Sequence, residues 1–217
     1  MIQQITTYFS EHGAEWVQMV IDHLAISGMA LAAALAIAVP LGILCSQHAW
    51  SERLATGTAG VLRVIPSLAI LIICVPYLGV GTVPAVVALT ILAIPPILIN
   101  TAVALRNVPT DVIEAGVGMG MSPLRLWLTV KAPLAFPLAF SGVRTAASEI
   151  IASATLAAYI GAGGLGILIY TGLGALRNDL LWIGVISVAA LSLIVNRVLA
   201  MVDRRIRAYE RVGSSAR

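Results

Sequence analysis

The chain has 217 residues, 59% of them hydrophobic and 11% charged, with a formal net charge of +3 and a mean hydropathy of +0.98. A soluble domain carries about 25% charged residues, so these charges are too few to cover a solvated surface and lipid must cover much of it. The small basic excess reads as membrane topology, not as a nucleic-acid surface.

Residues 1–19 hold no Lys or Arg, and the first base is Arg53. A signal peptide needs a basic start, so this stretch is expected to be a short pre-helix at the membrane surface. Residues 23–51, 64–105 and 150–176 then contain no Asp, Glu, Lys or Arg. Crossing a bilayer takes roughly 20 apolar residues in a helix. The run from Val64 to Leu105 is long enough for two crossings, with a break near Pro76 to Pro84. None of these runs alternates apolar with polar residues, as a barrel would, so the spanning elements are helices. Five spans are predicted, at about 20–46, 56–77, 84–105, 133–158 and 180–202, in one domain covering 1–217. Pro66, Pro95 and Pro96 fall inside spans, where neighbouring groups can satisfy the freed carbonyls. Gly, Ala, Ser and Thr are dense throughout, which suits close helix packing.

The loop 107–132 is the one long polar interruption. Asp111 can cap a helix start, with Glu114 three residues on, as in a capping box. Gly116, Gly118 and Gly120 each lower helix propensity by up to about 1 kcal/mol relative to Ala, so the helix should be short. Glycine also lets another backbone approach closely, and Gly120 would allow a turn. Ser122-Pro123 then reads as an N-cap followed by Pro at the first helical position. On these residues alone, the loop is either a docking element or an ordinary interfacial loop in which Glu114 caps its own helix.

Further along, Gly161, Gly163 and Gly166 satisfy G-x-G-x-x-G, with Asp179 near the distance of a ribose-binding acid. A dinucleotide site needs a strand before the glycines, and here a membrane helix precedes them. The run Gly161, Ala162, Gly163, Gly164 is better read as a flexible, close-packed turn, with Tyr159 and Tyr170 at interfacial depth. Arg144 and Glu149 lie within the fourth span. Charges at mid-membrane cost at least about 2.5–3.5 kcal/mol each, so both must face the bundle interior, another subunit or a wet pathway. Five residues apart, they point to different helix faces. Each either lines a pathway or forms a salt bridge to a neighbouring helix, whereas Arg63 and Arg197 near span ends are expected to snorkel. Cys45, Cys74, His12, His23 and His48 build no metal or disulfide pattern. No G-x-x-x-x-G-K-[ST] occurs, and Lys131 is the only lysine, so the chain is not expected to hydrolyse ATP.

Charge placement orients the spans. Arg53, Arg106, Arg125 and Lys131 fall in two loops on one side, with Arg204, Arg205, Arg207, Arg211 and Arg217 in a tail on that same side. The opposite side holds Glu11, Glu15, Asp22 and Asp179, with Arg177 its only base. The positive-inside rule places the C-terminus in the cytoplasm and the N-terminus outside.

Glu114-Ala115-Gly116, Gly120 and Val130-Lys131-Ala132-Pro133 resemble the coupling loop of ABC-importer permeases. That pattern is Glu-Ala-Ala, three residues, Gly, nine residues, then Ile-x-Leu-Pro. Glu114, Ala115, Gly120 and Pro133 match in register; Gly116, Val130 and Ala132 replace the other positions with small or apolar residues. Ala154 to Gly166, Ile65 to Ala69, Gly81 to Ala85 and Glu114 to Met121 resemble the osmoprotectant permeases of glycine betaine, choline or carnitine import. The resemblance runs from about residue 20 to 203. Glu149 stands where that family would be expected to have an uncharged residue.

The resemblance implies an all-α membrane protein, a five-helix type I ABC permease bundle with a cytoplasmic coupling helix. It implies a transport subunit of a bacterial inner membrane, importing a compatible solute such as glycine betaine, choline, carnitine or proline. Asp111, Glu114, Ala115, Gly116, Gly120, Arg125 and Pro133 would then couple to an ATPase. Arg144, Glu149, Tyr159, Gly161, Gly163 and Gly164 are candidates for pathway or gate. The partners implied are two ATPase subunits carrying ATP and Mg, a second permease chain, an extracytoplasmic solute-binding protein and membrane lipid. This chain itself would bind no cofactor, no metal and no nucleic acid. An amino-acid permease, for methionine for example, is the alternative within the same architecture. A secondary transporter, for which no inverted repeat is visible, and a structural membrane subunit are the alternatives outside it.

Overall fold

The structure, a computed structural model, describes residues 2–47, 57, 60 and 64–206. All regular structure among them is helical. In chain order the elements are α1 (Ile2–Cys45), α2 (Ser67–Leu78), α3 (Thr82–Arg106), α4 (Thr110–Gly118) and α5 (Pro123–Leu126). A π-helical turn (Trp127–Lys131) leads into α6 (Ala132–Ala157), and a 3-10 turn (Ala158–Ile160) precedes α7 (Gly166–Gly174) and α8 (Asn178–Ile206).

Among the described residues, four stretches are long and apolar enough to cross a membrane: Ile5–Cys45, Thr82–Arg106, Pro123–Ile160 and Asn178–Arg205. At 1.5 Å per residue the shortest, α3, is about 37 Å long, which exceeds a hydrocarbon core of about 30 Å. Within its most apolar window α3 is 56% buried, against 17–22% in the other three. Much of their apolar surface is therefore left for lipid or another chain.

Helices α3, α6 and α8 cover the stretches 84–105, 133–158 and 180–202 almost residue for residue. The expected pre-helix is joined to the first span: α1 runs unbroken from Ile2 except at His12, whose φ of −119° and ψ of 18° kink it. The second span is not one continuous helix. Val64, Ile65 and Pro66 are non-helical, and α2 starts at Ser67 with Pro66 as its N-cap. Proline lacks the N–H for the helical ladder and pushes the residue before it out of the α region. The rest of 56–66, apart from Gly57 and Gly60, lies outside the described residues, as do Arg53, Arg63, His48 and the tail arginines Arg207, Arg211 and Arg217. At 12 residues, about 18 Å, α2 is too short to cross a bilayer by itself. Pro76 sits inside α2; the break before α3 is made by Gly79 and Gly81, at φ +77° and +108°.

Residues pack into two compact units, one of Met1–Ala34, Arg63–Ala93 and Ala147–Asn196, the other of Leu35–Leu62, Ile94–Ala146 and Arg197–Arg217. In the first, Tyr8, Leu165, Leu168, Leu180, Ile183 and Leu191 form a buried cluster. Trp16 packs against it and donates from Nε1 to Ser187 Oγ at 2.9 Å, so the bulky indole is anchored at its polar end. The element that sequence reading missed, α7, belongs to this cluster through Leu168. In the second unit Ala104, Val108 and Ala135 form a smaller core with Leu105, Ile113 and Ala139. Small residues set the spacing there. A Cβ on Gly142 would lie 2.5 Å from the Pro96 carbonyl oxygen, and one on Gly42 2.7 Å from Thr101 Cβ.

Candidate coupling surface and glycine turn

The stretch Thr110–Lys131 folds as two short helices. Pro109, not Asp111, is the N-cap of α4, and no side chain caps it. The capping box expected of Asp111 and Glu114 is therefore absent. Pro109 at φ −58° sets the chain for a helix that begins at the next residue, which leaves Asp111 inside the first turn. A carboxylate there still complements the helix N-terminus.

The C-terminus of α4 is built as predicted, around Gly120. Its φ is +74°. Gly120 N–H donates to Val117 O at 2.9 Å and Met121 N–H to Gly116 O at 3.2 Å. This is the paired closure in which a left-handed residue ends a helix, and only glycine takes that conformation without a Cβ penalty. Ser122 is the N-cap of α5, its hydroxyl accepting from Arg125 N–H at 3.4 Å, with Pro123 at the first position.

Gly116 has a different role from the one its neighbours suggested. It is buried, and a Cβ on it would meet Leu126 Cδ1 at 2.5 Å. Its close approach is thus internal, seating α4 on α5. Gly118 and Gly120 have nothing within 4 Å of where a Cβ would stand.

The exposed side of this pair carries Asp111, Glu114, Ala115 and Arg125 together with Val112, Val117, Met119, Leu124 and Leu128. Met119 and Leu124 are 70% and 69% exposed. Charges of both signs among large apolar side chains make a surface that another protein can cover. Behind it, Pro133 has no N–H for the Thr129 carbonyl. The chain widens just before it into the π turn, in which Ala132 N–H reaches Trp127 O. Such widened turns are frequent at functional sites.

Arg144, on α6, places Nη1 3.4 Å from Asp203 Oδ2 on α8. Of the two sequence readings, the salt bridge to a neighbouring helix is the one the geometry provides for Arg144. Asp203 was missed because it adjoins Arg204 and Arg205 and reads as part of a basic tail. Glu149 is half-buried on α6. Asn100 was missed as well: its amide donates to Pro96 O at 2.7 Å, and its oxygen accepts from Ser141 Oγ at 3.3 Å, tying α3 to α6. A polar residue inside an apolar, proline-interrupted span was the available signal.

In the other unit, the glycine turn follows α6. Gly161, Gly163 and Gly164 have φ of +77°, +90° and +82°. A Cβ on Gly164 would stand 3.1 Å from His23 Nδ1, and one on Gly166 2.1 Å from the Thr155 carbonyl oxygen. The turn is close-packed, as expected, and has no strand before it. His23, fully buried on α1, hydrogen-bonds the Ile151 carbonyl oxygen through Nε2 at 3.0 Å. Gly81 N–H also donates to Ile160 O at 2.8 Å, so the loop before α3 is tied to this turn. Tyr159 is exposed and meets Tyr170 with ring centroids 5.7 Å apart. Leu176, 88% exposed, holds a left-handed φ of +54° without being glycine. Arg177 beside it binds Asp179 through two hydrogen bonds, of 3.3 and 2.5 Å. Among the described residues no group of His, Cys, Asp and Glu is arranged to hold a metal.

Residues 38–208 match the family model of the binding-protein-dependent transport system inner membrane component. The chain is 43% identical over 202 residues to the carnitine transport permease protein OpuCB of Listeria monocytogenes, covering 93% of each. It is 35% identical over 205 residues to the choline transport system permease protein OpuBB of Bacillus subtilis, covering 94% of each. Its fold resembles a chain of the MetNI methionine ABC transporter in an inward-facing conformation. The TM-score is 0.78 at 23% identity, over 88% of this chain and 95% of that one.

Proposed function

The chain belongs to the binding-protein-dependent transport inner-membrane family, and we propose that it is the permease subunit of an ATP-driven importer of compatible solutes. Glycine betaine, choline and carnitine are the class. The observation that carries this reading is 43% identity to a carnitine permease across nearly the whole of both chains. It is a multi-pass inner-membrane protein and a transport subunit. ATP hydrolysis, with its Mg, is assigned to separate ATPase chains.

We assign α4 and α5 as the coupling element. Exposed Glu114, Arg125, Met119 and Leu124 would contact the ATPase, and the turn at Gly120 would fix the angle between the two helices. The arginine distribution supports placing this element and the C-terminus in the cytoplasm. The glycine turn, Tyr159 and Leu176 would then lie outside, where a loaded binding protein delivers its solute. The sparse burial of three of the four long helices supports pairing with a second permease chain. Two ATPases would dock on the two coupling elements, and ATP binding would shift the assembly toward the outward-open state. Arg144, paired with Asp203, belongs in this reading to the framework of the bundle. Glu149, Gly161, Gly163 and Gly164 are assigned to the pathway or its gate.

Uptake by the complex reconstituted with its ATPase and binding protein tests the reading. Labelled betaine, choline, carnitine, proline and methionine are supplied outside, and ATP inside. ATP-dependent uptake of a quaternary ammonium compound is expected. Uptake of methionine alone would keep the architecture and reject the substrate class. Accumulation driven by an ion gradient without ATP would reject both.

A further inference from the structure

A cavity lies beside the coupling element, within one compact unit. It has a volume of about 440 Å³ and is walled by the end of α1, the end of α3 and the α5–π-turn segment. Ser46 and Gln47 line it from the turn that follows α1, Leu105 and Arg106 from α3, and Trp127 and Lys131 from the π turn. Its described lining includes two cations, Arg106 and Lys131. The volume falls in the range of about 300–1,000 Å³ typical of small-ligand sites.

We propose that this cavity binds the headgroup of an anionic phospholipid. Arg106 and Lys131 would hold the phosphate, Ser46 and Gln47 supply neutral polar groups, and Trp127 is the amphipathic side chain expected at headgroup depth. Arg106 ends α3 and Lys131 ends the π turn, so in the proposed orientation both bases would sit near the cytoplasmic membrane surface. Basic pockets between membrane helices are the known setting for such headgroups. The apolar neighbours decide for a lipid over a free phosphate. Leu134 and Leu138 on α6 follow Lys131, the last residue of the π turn, by three and seven residues, and both are exposed. At that spacing they share the helix face that Lys131 begins, an exposed apolar path along which acyl chains would lie. The competing view is that Arg106 only offsets the carbonyl end of α3. That would give no lipid preference and no role to Lys131.

The test uses the purified permease–ATPase complex, delipidated in neutral detergent. It is titrated with phosphatidylglycerol or phosphatidylcholine, and bound lipid is counted by native mass spectrometry. Phosphatidylglycerol is expected to bind tightly and phosphatidylcholine weakly. Arg106→Gln and Lys131→Gln should each weaken phosphatidylglycerol about fivefold, the contribution of one base near a membrane surface. Arg106→Lys with Lys131→Arg should retain it, which separates charge from folding. Arg205→Gln, a base outside the cavity, should bind as wild type. Glycerol phosphate should not displace the lipid; if it binds as well as the lipid, the site is for a free phosphate ester and the proposal fails. Unchanged lipid binding in the double glutamine variant overturns it too. So does loss of the ATPase from that variant with lipid binding intact, which would mean that the ATPase covers the cavity.

Discussion

Arg144 on α6 and Asp203 on α8 face each other with Nη1 and Oδ2 3.4 Å apart, and the carboxylate side chain is only 11% exposed. Losing one member of so enclosed a pair is costly, because it removes part of what compensates the other's charge. Arg144→Met or Asp203→Leu should each destabilise the solubilised protein by about 2 kcal/mol. The double variant should cost less than the sum of the two. Thermal unfolding of the wild type, both singles and the double measures that coupling. Strict additivity would show that the pair does not act as one.

Helix spacing predicts a second effect. Gly142 stands where a Cβ would meet the Pro96 carbonyl oxygen at 2.5 Å and Asn100 Cβ at 2.6 Å. Backbone cannot yield as a flexible side chain can, so Gly142→Val should cost about 1–3 kcal/mol and reduce folded protein. Gly28→Ala is the matched control, because nothing lies within 4 Å of its Cβ position. It should be neutral, or stabilise by up to about 1 kcal/mol through helix propensity. Gel-filtration recovery after mild heating separates the two.

What the sequence discloses follows the range of the forces involved. The apolar runs that became α3, α6 and α8 were legible, since bilayer thickness alone demands their length. Ser122, Pro123 and Gly120 were legible because caps and left-handed turns are local chemistry. Asp111 misled for a related reason: Pro109, two residues earlier, had already started the helix. Contacts between distant segments left no local trace. Gly116 against Leu126, Arg144 with Asp203 and His23 against Gly164 all depend on how helices meet. Helix α7 was hidden because a nine-residue apolar stretch after a glycine run reads equally well as a turn.

The glycine turn should tolerate little. Gly164 combines a φ of +82° with a Cβ position 3.1 Å from His23 Nδ1. Gly164→Val meets both obstacles, and the backbone conformation alone costs about 1–2 kcal/mol. Solute uptake is expected to fall while the ATPase still co-purifies. Wild-type uptake by this variant would remove the turn from the pathway or gate.

Orientation is tested with two introduced thiols. In a Cys45→Ala, Cys74→Ala background, Ser10→Cys should react with impermeant maleimide from outside intact cells, permeabilised at the outer membrane if needed. Ser214→Cys, outside the described residues, should react only in inside-out vesicles. The arginine asymmetry is the reason. Labelling of Ser214→Cys from outside would overturn the placement of both termini.

The coupling assignment makes the sharpest demand. Glu114 is exposed on α4, so Glu114→Lys changes the surface without disturbing a core. Gly120→Val acts by another route. A β-branched residue resists the +74° φ, so the helix-ending turn and the angle between α4 and α5 should be lost. Both variants should reach the membrane in normal amount. Each should weaken ATPase recovery, Glu114→Lys by roughly thirtyfold if that side chain is a central contact worth about 2 kcal/mol. ATP-dependent uptake should fall in parallel. Pull-down through a tag on the permease measures the docking, and uptake in the same vesicles measures its consequence. Docking and uptake at wild-type levels in both variants would mean that the ATPase engages some other surface.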